Sequence, residues 1–222
     1  MEAAAWVAAL WVAVGATHVG LSSAVLRPRL LASLGERGFG ALYSMLALAT
    51  FVALVWVYAT HRHAGPPLWA LGALPVVRWI AYAGMALAFA LIAAGVARPS
   101  PAALGGGKPR VSGALRITRH PVFMGLALFG LMHLLMAPVN ASELAFFGGF
   151  PLFVLLGARH QDRRKLQTGG ETFRSFYRDT AFLPFSRPAG SLAALREDRV
   201  AVLIGLGAAV LMRALHPLLF GA

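Results

Sequence analysis

Residues 41–59 read ALYSMLALATFVALVWVYA. No charged side chain interrupts this run, and apolar residues cover every face of a helix drawn through it. A helix of this length rises ~28 Å at 1.5 Å per residue, close to the ~30 Å hydrocarbon thickness of a bilayer. It reads as a transmembrane helix. Five more apolar stretches lie at 3–26, 80–96, 121–139, 144–158 and 200–220. A spanning helix needs about 20 apolar residues. The stretch at 80–96 reaches that only by borrowing 75–79, and 144–158 is the shortest. A bent hairpin of the fourth and fifth stretches, joined at 140–142, fits the pattern equally. The chain is therefore expected to be an all-α polytopic membrane helix bundle of about six transmembrane helices, in a single domain without internal repeats.

Composition agrees. Hydrophobic residues make up 59% of the chain and charged residues 13%, against roughly 25% charged in a soluble domain. There is no cysteine, which excludes disulfides and thiolate metal sites. The first stretch lacks the basic leading segment and small-residue cleavage site of a signal peptide. The formal charge of +12 invites a nucleic-acid reading, but its placement argues against one. Arg27, Arg29 and Arg37 occupy the first loop. Arg98, Lys108, Arg110, Arg116 and Arg119 occupy the third. Arg159, Arg163, Arg164, Lys165, Arg174, Arg178, Arg187, Arg196 and Arg199 occupy the fifth, whereas the other loops offer only Arg62 and Arg78. Lys and Arg accumulate in cytoplasmic loops. The pattern predicts a multi-pass protein of the bacterial inner membrane with both termini periplasmic.

Three loops have distinct character. Residues 27–34 read as a short helix ended by Gly35. Residues 98–119 are rich in Pro and Gly, and the run 105–107 before Lys108 reads as a linker. It lacks phosphate-loop spacing because Pro109 follows Lys108. Residues 162–178 place Leu166, Phe173, Phe176 and Tyr177 at helical spacing among charges, which predicts an amphipathic helix on the cytoplasmic membrane face. Residues 180–185 then return to the interface through Phe182, Pro184 and Phe185.

Seven histidines are present. His61 and His63 lie in an outer loop, His160 follows Arg159 in a charged segment where solvation is expected, and His216 precedes Pro217 near a membrane surface. His18 and His133 lie inside predicted spans, where an ionisable group is costly and is a functional candidate by default. Counted from the cytoplasmic ends, they sit ~12 Å and ~18 Å deep. Two imidazoles at similar depth on facing helices suit axial ligation of a b-type haem iron. Interhelical hydrogen bonding suits them as well. Gly15 and Ser22 share the face of His18. Gly125 and Gly130 lie near that of His133, where small residues admit either a flat macrocycle or a close helix.

Arg119, His120 and Pro121 open the fourth span, with proline at a first-turn position whose missing N–H costs nothing. Arg116 and Arg119 are candidates to grip an anionic group, such as a haem propionate, a lipid phosphate or a cofactor carboxylate. His120 is a candidate proton donor, orienting group or cap. Asp162, Arg163, Arg164 and Lys165 form a charged cluster for which Glu36 and Arg37 are possible partners.

These residues together carry a resemblance. Thr17 and His18, LGERG at 34–38 followed by Tyr43 and Ser44, RITRHP at 116–121, the His133 region, and DRRK at 162–165 followed by Gly170 and Glu171 resemble the NnrU family, which includes zeta-carotene isomerases. The likeness runs over roughly residues 1–185. It implies an integral membrane protein that binds haem b, with His18 and His133 as axial ligands, and cis–trans isomerase-like chemistry on a lipophilic substrate such as a polyene. Where those isomerases carry a cysteine three residues before the second histidine, this chain has Gly130, which sets isomerase activity apart from haem ligation. For bacterial members the resemblance implies a role in nitrite and nitric oxide respiration. That role includes a non-catalytic alternative, assembly of nitrogen-oxide reductase proteins. The stretch from Arg119 to Pro121 with the segment 170–185 also resembles isoprenylcysteine and phospholipid methyltransferases. Those enzymes bind S-adenosylmethionine at the cytoplasmic membrane face, and they carry a glutamate pair where this chain has Gln161 and Asp162.

Overall fold

The computed structural model describes residues 2–103, 109–136, 138–187 and 190–221. Its helices are α1 (Glu2–Leu21), α2 (Leu26–Thr60), α3 (Pro75–Ala97), α4 (Pro121–Met136), α5 (Ala141–Thr168), α6 (Gly170–Asp179), α7 (Ser191–Glu197) and α8 (Arg199–Phe220). α1, α2, α3, α5 and α8 are long and apolar enough to cross a membrane, and α4 is a shorter apolar helix. The fold is an all-α membrane bundle. The linker expected at 105–107 with Lys108 lies outside the described residues.

Local chemistry sets most boundaries. Gly35 takes φ +67 and breaks α2 after its first nine residues, as a residue without a Cβ allows. The expected short helix is thus the first limb of α2. Pro75 starts α3 in the first-turn position, so this span takes in the borrowed residues. The fifth span corrects the sequence reading. Asn140 and Glu143 form a capping box that begins α5 at Ala141, and the helix runs past Ala158 through the charged segment to Thr168. It is α4 that is short, ~24 Å at 16 residues. The apolar pattern missed this because it counted neither the polar cap nor the polar tail of α5 as helix.

The same extension shortens the amphipathic element. Residues 162–168 belong to α5, and α6 alone is amphipathic. Phe173 and Phe176 of α6 are buried with Ala102 and Leu115. Protein therefore takes the apolar face that the sequence assigned to lipid. An unexpected pairing of β1 (Pro67–Trp69) with β2 (Val139–Asn140) ties the loops at the opposite end.

The helices pack in the order α2, α1, α5, α4, α3, α8, with α5 also touching α2. Small residues make the contacts close. Gly95 lies against Pro121 and Val122, Gly125 against the Ala88 carbonyl, and Gly205 of α8 against the Phe89 carbonyl. Without a hydrophobic force between helices in lipid, such close approach supplies the attraction. Pro151 inside α5 has no N–H for the Phe147 carbonyl four residues back. That carbonyl faces Gly130 of α4, where a Cβ would stand only 2.4 Å from the oxygen.

Gly130→Ala should therefore force α4 and α5 apart and cost ~1–3 kcal/mol of stability. Gly20→Ala, with open space around the added carbon, should leave the melting temperature in detergent unchanged. Equal melting curves for the two variants would contradict this packing.

Candidate functional site

At the Arg-rich end of the bundle, α4 and α5 are joined by a buried ionic clamp. Arg119 Nε donates to Asp162 Oδ2 at 2.8 Å and His120 Nε2 to Asp162 Oδ1 at 2.9 Å. Arg119 and Asp162 are each 5% exposed and His120 2%. A second guanidinium nitrogen of Arg119 donates to the Thr180 carbonyl at 3.0 Å. The guanidinium lies 4.1 Å from the Tyr177 ring centroid and 5.3 Å from that of Phe182. Backbone bonds from Arg119 N to Ala181 O and from Phe185 N to Ile117 O dock the segment after α6 beside this motif. Thr118 Oγ1 adds a bond to Phe182 O at 2.6 Å. Phe182 turns in onto His120, while Leu183 and Phe185 stay exposed.

Asp162 therefore pairs with Arg119 and His120, not with Glu36 or Arg37, which are both exposed. Arg116 is placed elsewhere. It binds Glu197 through Nε at 3.0 Å and a terminal nitrogen at 2.9 Å. Glu197 also accepts from Gly113 N at 2.6 Å. The Gly113 N–H, followed by Arg116 and Arg98, holds the Glu197 carboxyl below its ordinary value. Neighbouring Asp198 binds Arg98 and the Ala114 N–H. Gly113 has φ +53, and a Cβ there would overlap the Asp198 carboxylate. A cleft of about 510 Å³ opens beside the clamp, lined by Arg119, Tyr177, Arg178, Phe182 and Arg187.

The two intramembrane histidines sit against α5 at different levels. His18 is half-buried, with its ring 5.1 Å from Phe153 and 5.5 Å from Tyr43. His133 stacks on Phe147 at 4.2 Å with planes 8° apart and meets Phe129 at 4.3 Å. Phe147 and Phe153 are six residues apart, ~9 Å along the axis. Among the described residues no ring contact joins the two imidazoles. Nδ1 of each lies within hydrogen-bond distance of the carbonyl four residues back, Val14 at 2.8 Å and Phe129 at 2.9 Å. Such a bond fixes the tautomer with Nδ1–H donating and Nε2 free as a lone pair, the form that ligates metal. Each imidazole thus has the donor chemistry that a haem iron takes. Among the described residues no group of three or more His, Cys, Asp or Glu could hold a metal ion.

Around them the glycines differ. Gly15 beside His18 has nothing within 4 Å of an added Cβ, whereas Gly130 and Gly125 are filled by neighbouring helices. His160 corrects the expectation of solvation. It is half-buried, with Nε2 3.0 Å from Ser22 Oγ. The sequence signal for it was the placement of Ser22 four residues after His18. At the opposite end Glu143 is fully buried and accepts from His63 N at 2.7 Å and Asn140 N at 3.2 Å. It seals the loops there.

Residues 5–222 match the NnrU protein family. The chain belongs to the NnrU family. It is 30% identical over 188 residues to the chloroplastic 15-cis-zeta-carotene isomerase of Arabidopsis thaliana, covering 82% of this chain and 49% of that protein. It is 27% identical over 173 residues to the isomerase of the same name from Zea mays, covering 76% of this chain and 46% of the relative. The chain spans about half the length of these relatives. No solved structure matches it.

Removing one partner of a buried ion pair leaves an uncompensated charge, at ~3–5 kcal/mol. Asp162→Ala should therefore lower the melting temperature strongly in detergent and loosen the 180–185 segment to protease. Glu171→Ala, at an exposed pair with Arg178, should leave both unchanged. A mild Asp162→Ala phenotype would show that the clamp does not hold α4 to α5.

Proposed function

We propose that this NnrU protein is a membrane isomerase-like enzyme acting on a long apolar polyene, with haem b as its cofactor. The observation that carries this is the match to proteins named 15-cis-zeta-carotene isomerase along four-fifths of the chain, on a fold whose outer helix faces are apolar. Trp56 of α2 and Val210 of α8, for example, are 69% and 71% exposed. A lipid-soluble substrate reaches such a bundle sideways. In this reading the Arg-rich end faces the cytoplasm, following the charge bias of its loops.

His18 and His133 are the residues that would hold the haem, each through Nε2. If bound, haem would supply a redox-active iron at this place. The protein's part is positional. The Val14 and Phe129 carbonyls orient the imidazoles, with the Phe153 ring against His18 and the Phe129 and Phe147 rings against His133. The buried clamp at Asp162 fixes the register of α4 against α5, and with it the position of His133 over Phe147. An aromatic surrounding suits a substrate that is nonpolar throughout.

The first measurement is the absorption spectrum of detergent-purified, haem-supplemented protein, oxidised and reduced. A b-type spectrum is expected, lost or altered in His18→Ala and in His133→Ala. Conversion of added 15-cis-zeta-carotene should depend on reduction and disappear in both variants. Folded wild-type protein that binds no haem and converts no polyene would refute the proposal.

A further inference from the structure

The Arg-rich end holds a second charged cluster, between α1, α2 and α5, with a different character from the clamp. Arg98, Arg116, Arg119, Arg174 and Arg178 all pair with carboxylates. Arg27, Arg164 and Lys165 do not. Among the described residues none of these side chains has an acidic partner within ion-pair distance. All are half-buried, and after burial itself the neighbouring cations disfavour their charged forms, Arg27 at Arg164 and both Arg27 and Arg164 at Lys165. Arg27 Nε is buried without a hydrogen-bond partner, although its guanidinium lies 5.5 Å over the Phe39 ring. The Tyr43 hydroxyl lies near Arg164. A buried guanidinium nitrogen without an acceptor is costly, and like charges brought together in half-buried positions add to that cost. Both costs disappear if an anion with several oxygens sits among them.

We propose that Arg27, Arg164 and Lys165 form a binding site for the phosphate of an anionic phospholipid. The position favours this source. Val25, Leu26 and Leu34, on the limb that carries Arg27, are exposed apolar side chains, as an interfacial segment requires. The cations lie where this apolar surface meets the charged loops, the level of lipid headgroups. Arginine supplies a forked donor for phosphate oxygens and lysine a mobile point charge. The cluster is also adjacent to His18, since Tyr43 touches both the His18 ring and the field of Arg164. The bound lipid would thus brace α2 against α5 beside the histidine.

The test is native mass spectrometry of the full chain in neutral detergent, with phosphatidylglycerol, phosphatidylcholine of the same acyl chains, or inorganic phosphate added separately. A preference for phosphatidylglycerol is expected, falling about fivefold for each of Arg27→Gln, Arg164→Gln and Lys165→Gln. Arg29→Gln, at an exposed position on the same limb, should keep it. In lipid-free detergent the three variants should melt no lower than the wild type, because each relieves repulsion. A purely structural role would lower them. Binding of inorganic phosphate that is lost in Arg27→Gln would confirm the anion chemistry while assigning it to a soluble source. No phosphatidylglycerol preference and no phosphate binding, or an equal loss in Arg29→Gln, would overturn the proposal.

Discussion

The buried contact of Asp162 with Arg119 and His120 holds the two halves of the bundle together. α1, α2 and α5 form one group, and α3, α4 and α8 another. They meet chiefly where α4 packs on α5. α4 is too short to gain much from length, and it finishes at Met136. What fixes its first turn is a carboxylate that accepts from two adjacent residues, one cationic and one imidazole. Such a contact costs desolvation, but it is directional. A one-turn slip of α4 would break both bonds and strand the charges. It therefore specifies a register that apolar packing in lipid specifies weakly, because lipid tails satisfy apolar side chains as well as another helix does.

α5 carries most of the remaining order. Its first turn holds Glu143, whose fully buried carboxylate gathers the His63 and Asn140 backbone amides and so closes the far end. Its middle holds Pro151, which frees the Phe147 carbonyl and brings that stretch close to Gly130. The Trp11 indole donates to the adjacent Phe146 carbonyl at 3.0 Å and pins α1 to the same region. Its last turns hold Asp162, and also Arg164 and Lys165, which have no acidic partner among the described residues. One helix thus meets His133 through Phe147, His18 through Phe153 and the Arg119 motif through Asp162, while Arg116 pairs with Glu197 instead.

Much of this was legible in the sequence, and the limits have physical causes. Apolar length gave the spans, Gly35 gave the break in α2, and the Arg distribution separated the two ends. Pattern reading failed for α5 because a helix that leaves the membrane keeps its backbone hydrogen bonds while its side chains turn polar. Hydropathy marks the membrane and not the helix. The motif residues were also visible, but their partners were not. Arg116 and Arg119 look equivalent in sequence, yet Arg116 meets Glu197 and Arg119 meets Asp162, contacts across 81 and 43 residues. Only the fold sets such distances. His160 looked solvated because its neighbours are charged, but the helix turns it onto Ser22.

The glycines settle a point that spacing left open. A glycine beside a histidine admits either a flat ligand or a neighbouring helix, and the two histidines here differ. At Gly130 the space is taken by the Phe147 carbonyl and the Phe150 side chain, so the backbone around His133 is already committed to α5. At Gly15 no neighbour approaches. A ligand approaching from the membrane meets room on the His18 side and packed backbone on the His133 side. Gly130 is itself a close helix contact. Any side chain there would separate α4 from α5, so replacing glycine by cysteine changes the helix spacing before it changes any chemistry.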